Sequence, residues 1–133
     1  YSFLWSHEYD AGREQGAKDR PCVIVLAVTM EGDDSQRVII VPITHVQPAS
    51  PDDAIELPTA IKKSLGLDQD QSWIIVSESN DFLWPGPDLK HTSGRSDSPF
   101  AYGLLPARFF IEVRRRFVLL ERARRSRRIP RTE

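Results

Sequence analysis

The chain has 133 residues, 18 Lys and Arg against 19 Asp and Glu for a formal net charge of −1, 40% hydrophobic residues and a single cysteine. That length supports one domain with a core of its own, and one cysteine excludes a disulfide framework within the chain. No apolar run approaches the roughly 18 residues of a membrane span, and Tyr1-Ser2-Phe3-Leu4-Trp5 lacks the basic flank and cleavage site of a secretion signal, so a soluble, cytoplasmic chain is expected.

The near-neutral total conceals an asymmetry. Residues 1–104 carry 8 Lys and Arg with 16 Asp and Glu, net −8, whereas 105–133 carry 10 Arg and 3 Glu, net +7. Such a basic end attracts nucleic acid, an acidic partner or the chain's own acidic body; a solvated, partly frayed helix end is the plain alternative. The expected layout is a single domain over 1–125 and a basic tail over 126–133.

In chain order, residues 2–7 predict a short strand with Phe3 and Trp5 on one face, and Asp10 to Asp19 a polar loop hinged at Gly12 and Gly16. Pro21 opens the next strand, where its missing N–H is tolerated, and Val23 to Met30, rich in β-branched residues, predicts a buried strand. Glu31 to Ser35 is a turn and Arg37 to Thr44 a second apolar strand, so the two form a hairpin. Ala54 to Leu57 predicts a brief strand. Pro58 to Leu65 predicts a short helix with Pro at its first position and Gly66 at its stop. Ser72 to Ser77 is another buried strand, Asn80 to Asp88 a strand running into a rigid Trp84-Pro85-Gly86-Pro87 turn, and 88–99 a loop. From Pro106 to about Arg125, Phe109, Phe110, Val113, Phe117 and Leu120 recur at helical spacing, which predicts an amphipathic helix docked by its aromatic stripe.

The hairpin locates the chemistry. In an antiparallel pair the indices of opposed residues sum to a constant. A turn centred between Gly32 and Asp34 places the partner of Arg20 between Thr44 and Pro48, which makes Arg20 and Thr44 neighbours able to grip one phosphate. A guanidinium suits that role because it stays charged and offers a planar fork to phosphate oxygens. His45, next in sequence, joins them only if the strand ends at Thr44. An ion pair from Arg20 to Asp19 or Glu14 is the plain alternative, and Thr44 can be present for β propensity alone. Zinc-ligand spacing, a nucleotide-binding Gly-rich loop and a serine-nucleophile elbow are all missing, so neither metal nor cofactor is expected.

The run Gly12, Glu14, Gln15, Arg20-Pro21 before an apolar strand, with Val41-Pro42-Ile43-Thr44 closing the next, resembles the MazF/PemK family of type II toxin–antitoxin ribonucleases over about residues 1–80. Trp5 fits that pattern as well. The resemblance implies a mainly β fold with some α, an SH3-like barrel (MazF/PemK, CcdB-like) with short helices. It also implies a homodimer, metal-free cleavage of single-stranded RNA, and a cognate antitoxin that covers the site. Carried over, the family's active-site arginine falls on Arg20, its threonine on Thr44 and its acidic loop residue on Glu14, the candidate base. His45 or His7 is the alternative acid or base. Arg13, Lys18 and Trp84 are the candidates for RNA contact, Trp84 by stacking on a base. The loop before Arg20 is one residue longer than is common in the family, and 77–82 departs from the family's usual Asp-Gln pair followed by a basic residue. Two other functions fit the barrel: a non-catalytic module that grips RNA or an acidic peptide, and a toxin that traps DNA gyrase.

Overall fold

A computed structural model describes residues 1–30, 32, 35–84 and 103–131. The expected Trp84–Pro87 turn and the 88–99 loop lie outside these residues beyond Trp84, as do Glu31, Asp33 and Asp34 of the hairpin turn. Among the described residues no helix is long and apolar enough to cross a membrane.

The hairpin forms as expected, from β1 (Cys22–Thr29) and β2 (Gln36–Thr44). Its register sums to 65 from Thr29↔Gln36 to Leu26↔Ile39, and a bulge near Val25 drops it to 64 by Cys22↔Pro42. Continued two residues further, that register sets Arg20 against Thr44, and Ile43 N donates to Pro21 O at 3.0 Å just short of that point.

After a 3₁₀ turn at Pro51–Asp53 come β3 (Ala54–Glu56), α2 (Thr59–Ser64), β4 (Trp73–Ile75), β5 (Glu78–Trp84), α3 (Ala107–Arg122) and β6 (Arg127–Pro130). The sheet runs β3-β4-β2-β5-β6, with β1 on the other edge of β2, and curls into a half-barrel of mixed sense because β6 lies parallel to β5. Such mainly β architecture with short helices and a C-terminal amphipathic helix is the expected one.

β2 is long, central and buried on both faces, which explains its unbroken apolar run. Ile39, Val41 and Ile43 pack with Val113, Phe117 and Leu120 of α3, while Val38 and Ile40 pack with Phe3 and Phe82. By strand alternation Thr44 belongs to the second face, beside the N-terminal aromatics.

Three expectations change. The 2–7 strand is an extended segment that turns at Ser6 into α1 (Ser6–Asp10), because Glu8 accepts from Trp5 N at 3.1 Å and Glu78 from Ser6 N at 2.6 Å, satisfying amides that begin a helix. β1 is buried only at Val23 and Val25, with Cys22 half-buried: Ile24 and every residue from Leu26 to Thr29 are exposed, Ile24, Leu26 and Val28 by 38–48%. The segment expected as a basic tail begins with β6. There Arg127 pairs with Asp10 at 3.1 Å, Arg128 lies 3.9 Å from Asp81, and Arg131 is buried. Part of the basic end thus answers the chain's own acidic body.

Candidate active site

Three segments wall a cleft of about 210 Å³. Lys18, Asp19, Arg20 and Pro21 come from the loop entering β1; Ile43, Thr44 and His45 come from the end of β2; Leu67, Asp68 and Ser72 come from the loop entering β4. The hairpin register brings the first two walls together, and β4 pairing with Ile43 and Thr44 brings the third.

The loop before Arg20 is held open in one shape by its own sequence. Gly12 takes a φ of +86°, a region costly to a residue with a Cβ. A Cβ on Gly16 would lie 2.0 Å from Phe3 O, so only glycine lets the loop lie against the N-terminal segment. Buried Glu8 accepts from Ala17 N at 3.0 Å and lies 3.6 Å from Arg13. Tyr1 and Arg20 exchange backbone bonds, Arg20 N to Tyr1 O at 2.9 Å and Tyr1 N to Arg20 O at 3.1 Å.

The Arg20 guanidinium lies 5.1 Å over the Trp5 ring, and its Nη1 donates to Ile43 O at 3.4 Å. Its Nε is buried without an acceptor, and no carboxylate among the described residues pairs with it. The ion pair to Asp19 or Glu14, the plain alternative, is not formed. Burial holds its pKa below the usual arginine value, partly offset by Cys22 and Glu8, yet a guanidinium remains a cation in any protein setting. Burial also pushes the neighbouring Cys22 thiol up to about 12, opposed by the terminal amine and Arg20, which makes it an inert packing residue.

Thr44 is 7% exposed, and its Oγ1 accepts from Val46 N at 3.1 Å, which leaves the hydroxyl proton to donate. β2 ends at Thr44, so alternation ends there too and His45 stays on the cleft. Its Nδ1 lies 3.1 Å from both Gln71 O and Ser72 Oγ, and its Nε2 lies 3.1 Å from Asp68 Oδ2. Buried Lys62 fixes this wall by donating from Nζ to Asp70 O, while its carbonyl accepts from Leu67 N at 2.9 Å.

The cleft therefore gathers Arg20, Thr44, His45 and Lys18 of the expected residues. Glu14 is exposed outside it, with its carbonyl taken by Arg131 Nη2 at 3.3 Å, and Arg13 is engaged with Glu8. Trp84 pairs with Gln36 at the far end of β2, eight residues or roughly 26 Å from Thr44, and stacks near Phe82. His7 stacks on Trp5, across the ring system that carries Arg20.

Asp68, Ser72 and the supporting Trp5 were not singled out for this site by the sequence, because their signal is tertiary. His45, Asp68 and Asp70 also bring one donor atom each within 4.8 Å of one another, an exposed group that spacing in the sequence does not reveal.

The model of a family described as PemK-like, MazF-like toxin of type II toxin–antitoxin system matches residues 3–80, more than half of the chain and all three cleft walls. The chain belongs to this toxin family. Searches of curated proteins and of solved structures found no match. In this PemK-like chain the half-barrel is the family's β-rich fold, and the cleft lies wholly within the matched residues.

Proposed function

We propose that this PemK-like toxin is a metal-independent endoribonuclease that cleaves single-stranded RNA in the cleft between Arg20 and His45. The observation that carries the reading is the half-buried guanidinium of Arg20, paired with no carboxylate among the described residues, bordering a cleft with a donor hydroxyl and an imidazole. A half-buried cation with a buried, unsatisfied Nε and no counter-charge among the described residues is unfavourable in the free protein, and an anion in the cleft relieves it. Phosphate is the anion whose geometry matches the fork.

The chemistry follows from the three groups. The ribose 2′ oxygen attacks phosphorus, forming the 2′-O–P bond as the P–O5′ bond breaks, and the products end in a cyclic phosphate and a free 5′-hydroxyl. Arg20 and the Thr44 hydroxyl hold the phosphate oxygens as charge builds on them. His45 gives its proton to the departing 5′ oxygen, and the 2′ proton leaves to a carboxylate of the cleft wall, Asp19 or Asp68. Glu14, which the resemblance offered as base, stands outside the cleft and is not needed. Lys18 steers the RNA backbone at the rim, while Arg13 and Trp84 lie away from it.

Family membership further supports a cognate antitoxin that occludes the cleft in the cytoplasm, and a homodimer. The dimer is assigned to the exposed apolar row of β1.

Purified protein incubated with long single-stranded RNA in EDTA should yield discrete fragments ending in a cyclic phosphate. Removing one preorganised donor of this kind costs roughly 100- to 1,000-fold in rate, the loss expected for Arg20→Ala; Thr44→Val should lose less. Cutting at the wild-type rate by Arg20→Ala would displace the site. Salt-dependent RNA binding without cutting would point to the non-catalytic module instead.

A further inference from the structure

Arg131 lies 111 positions from Arg20 and outside the residues matched to the toxin family, yet it is 8% exposed and spends its fork on the segments that carry Arg20. Nη1 donates to Ser2 O at 2.8 Å and to Asn80 Oδ1 at 2.9 Å, Nη2 donates to Glu14 O at 3.3 Å, and the guanidinium lies 5.4 Å over the Tyr1 ring. Each contact leads on to the cleft. Tyr1 exchanges both backbone bonds with Arg20, and Glu14 belongs to the loop that ends at Arg20. Asn80 holds Leu4 through both its N–H and its carbonyl, at 2.9 and 2.8 Å, one residue before the Trp5 ring under the Arg20 guanidinium.

We infer that Arg131 is a positioning residue for the proposed cleavage, a clasp from the C-terminal strand that sets the place of Arg20. The inference rests on the ribonuclease reading for its kinetic part. The physical reason is that residues 1–5 are not part of a strand of the sheet: besides the Tyr1–Arg20 backbone bonds and the packing of Phe3, the polar groups of Ser2 and Leu4 are held by side chains of β5 and of Arg131 just past β6. Hydrogen bonds from a charged donor to backbone carbonyls are among the stronger ones available, and the planar fork reaches Ser2, Asn80 and Glu14 together. A lysine at 131 has the charge and donors enough for Ser2 O and Asn80 Oδ1, both served here by Nη1, but it lacks the second nitrogen that reaches Glu14 O.

The test compares Arg131→Met, which keeps an apolar stem, with Arg131→Lys, each in the wild-type and Arg20→Ala backgrounds. Displacing a phosphate-gripping group by an ångström costs about 100-fold, so Arg131→Met should lower kcat roughly 10- to 100-fold with KM within about twofold, and Arg131→Lys should recover part of the loss. In the Arg20→Ala background Arg131→Met should have no further effect on kcat, because its action runs through Arg20. Independently of activity, Arg131→Met should speed amide hydrogen exchange at Arg20, whose N–H is bonded to Tyr1 O, while Val41 and Ile43 in β2 keep their rates.

Unchanged exchange at Arg20, or a loss of kcat that multiplies with that of Arg20→Ala, would overturn the inference. A uniform rise in exchange across β2 would likewise overturn it, as a general loss of stability. If the wild-type protein cuts no RNA, the ribonuclease reading fails, and the exchange measurement alone decides whether Arg131 sets the place of Arg20.

Discussion

Arg20 and Cys22 sit two residues apart and show what burial does to opposite kinds of group. The guanidinium cannot shed its proton, so it is supported by the Trp5 face and the Ile43 carbonyl and left open to an anion. The thiol keeps its proton instead, with a pKa of about 12. Because the folded state holds that proton more tightly than the unfolded chain, whose thiol ionises near 9, Cys22 costs no stability below about pH 9 and loses it progressively between 9 and 12. Urea denaturation over that range should show a steeper alkaline decline for the wild type than for Cys22→Ala. Equal slopes would mean the thiol is not shielded. Arg20 was legible as a cation at a strand entrance; that no carboxylate among the described residues pairs with it was not, because Asp19 and Glu14 are near in sequence, and only the fold leaves Asp19 on the cleft wall unpaired with Arg20 and Glu14 outside the cleft.

At the scale of elements, β2 and α3 were read from their patterns with their bounds nearly right. β2 is apolar without a break because each face meets a different cluster, and α3 keeps its helical stripe because it docks on only one side. The end of α3 was not legible. Arg124 adopts a φ of 55° after the last helical turn, with Arg124 N donating to Glu121 O at 3.1 Å and Arg125 N to Leu120 O at 2.9 Å. That is the closing motif in which glycine is usual, and the chain then turns directly into β6. Arg124→Gly relieves the left-handed penalty at some entropic cost and should raise stability by about 0.5–1 kcal/mol, or roughly 2–5 °C in Tm. A lower Tm would show that the arginine side chain contributes more than its backbone costs.

For the whole molecule, the opposed charges of the two parts of the chain are partly spent internally. Arg127 faces Asp10, and both Arg37 and Arg128 approach Asp81, at 2.7 and 3.9 Å. Among the large apolar residues that stay exposed in the monomer, Ile24, Leu26 and Val28 of β1 with Met30 just beyond it fall together on one strand. An apolar edge strand of this kind invites pairing or aggregation unless a partner covers it. With a second copy as that partner, sedimentation should show a dimer for the wild type and a monomer with an unchanged circular dichroism spectrum for Leu26→Asp. A monomeric wild type would remove the assignment.

By itself the sequence determined the hairpin and a register range from Thr44 to Pro48 for the partner of Arg20, with the observed pairing at the Thr44 end, because strand pairing is arithmetic once a turn is located. It also determined the docking stripe of α3, since periodicity is local. Tertiary structure alone decided that Glu14 points away, that His45 meets Asp68 and Ser72, and that Arg131 reaches back to Ser2. Those contacts join residues 23 to 129 positions apart, and no local pattern encodes which distant loops share a wall of the cleft.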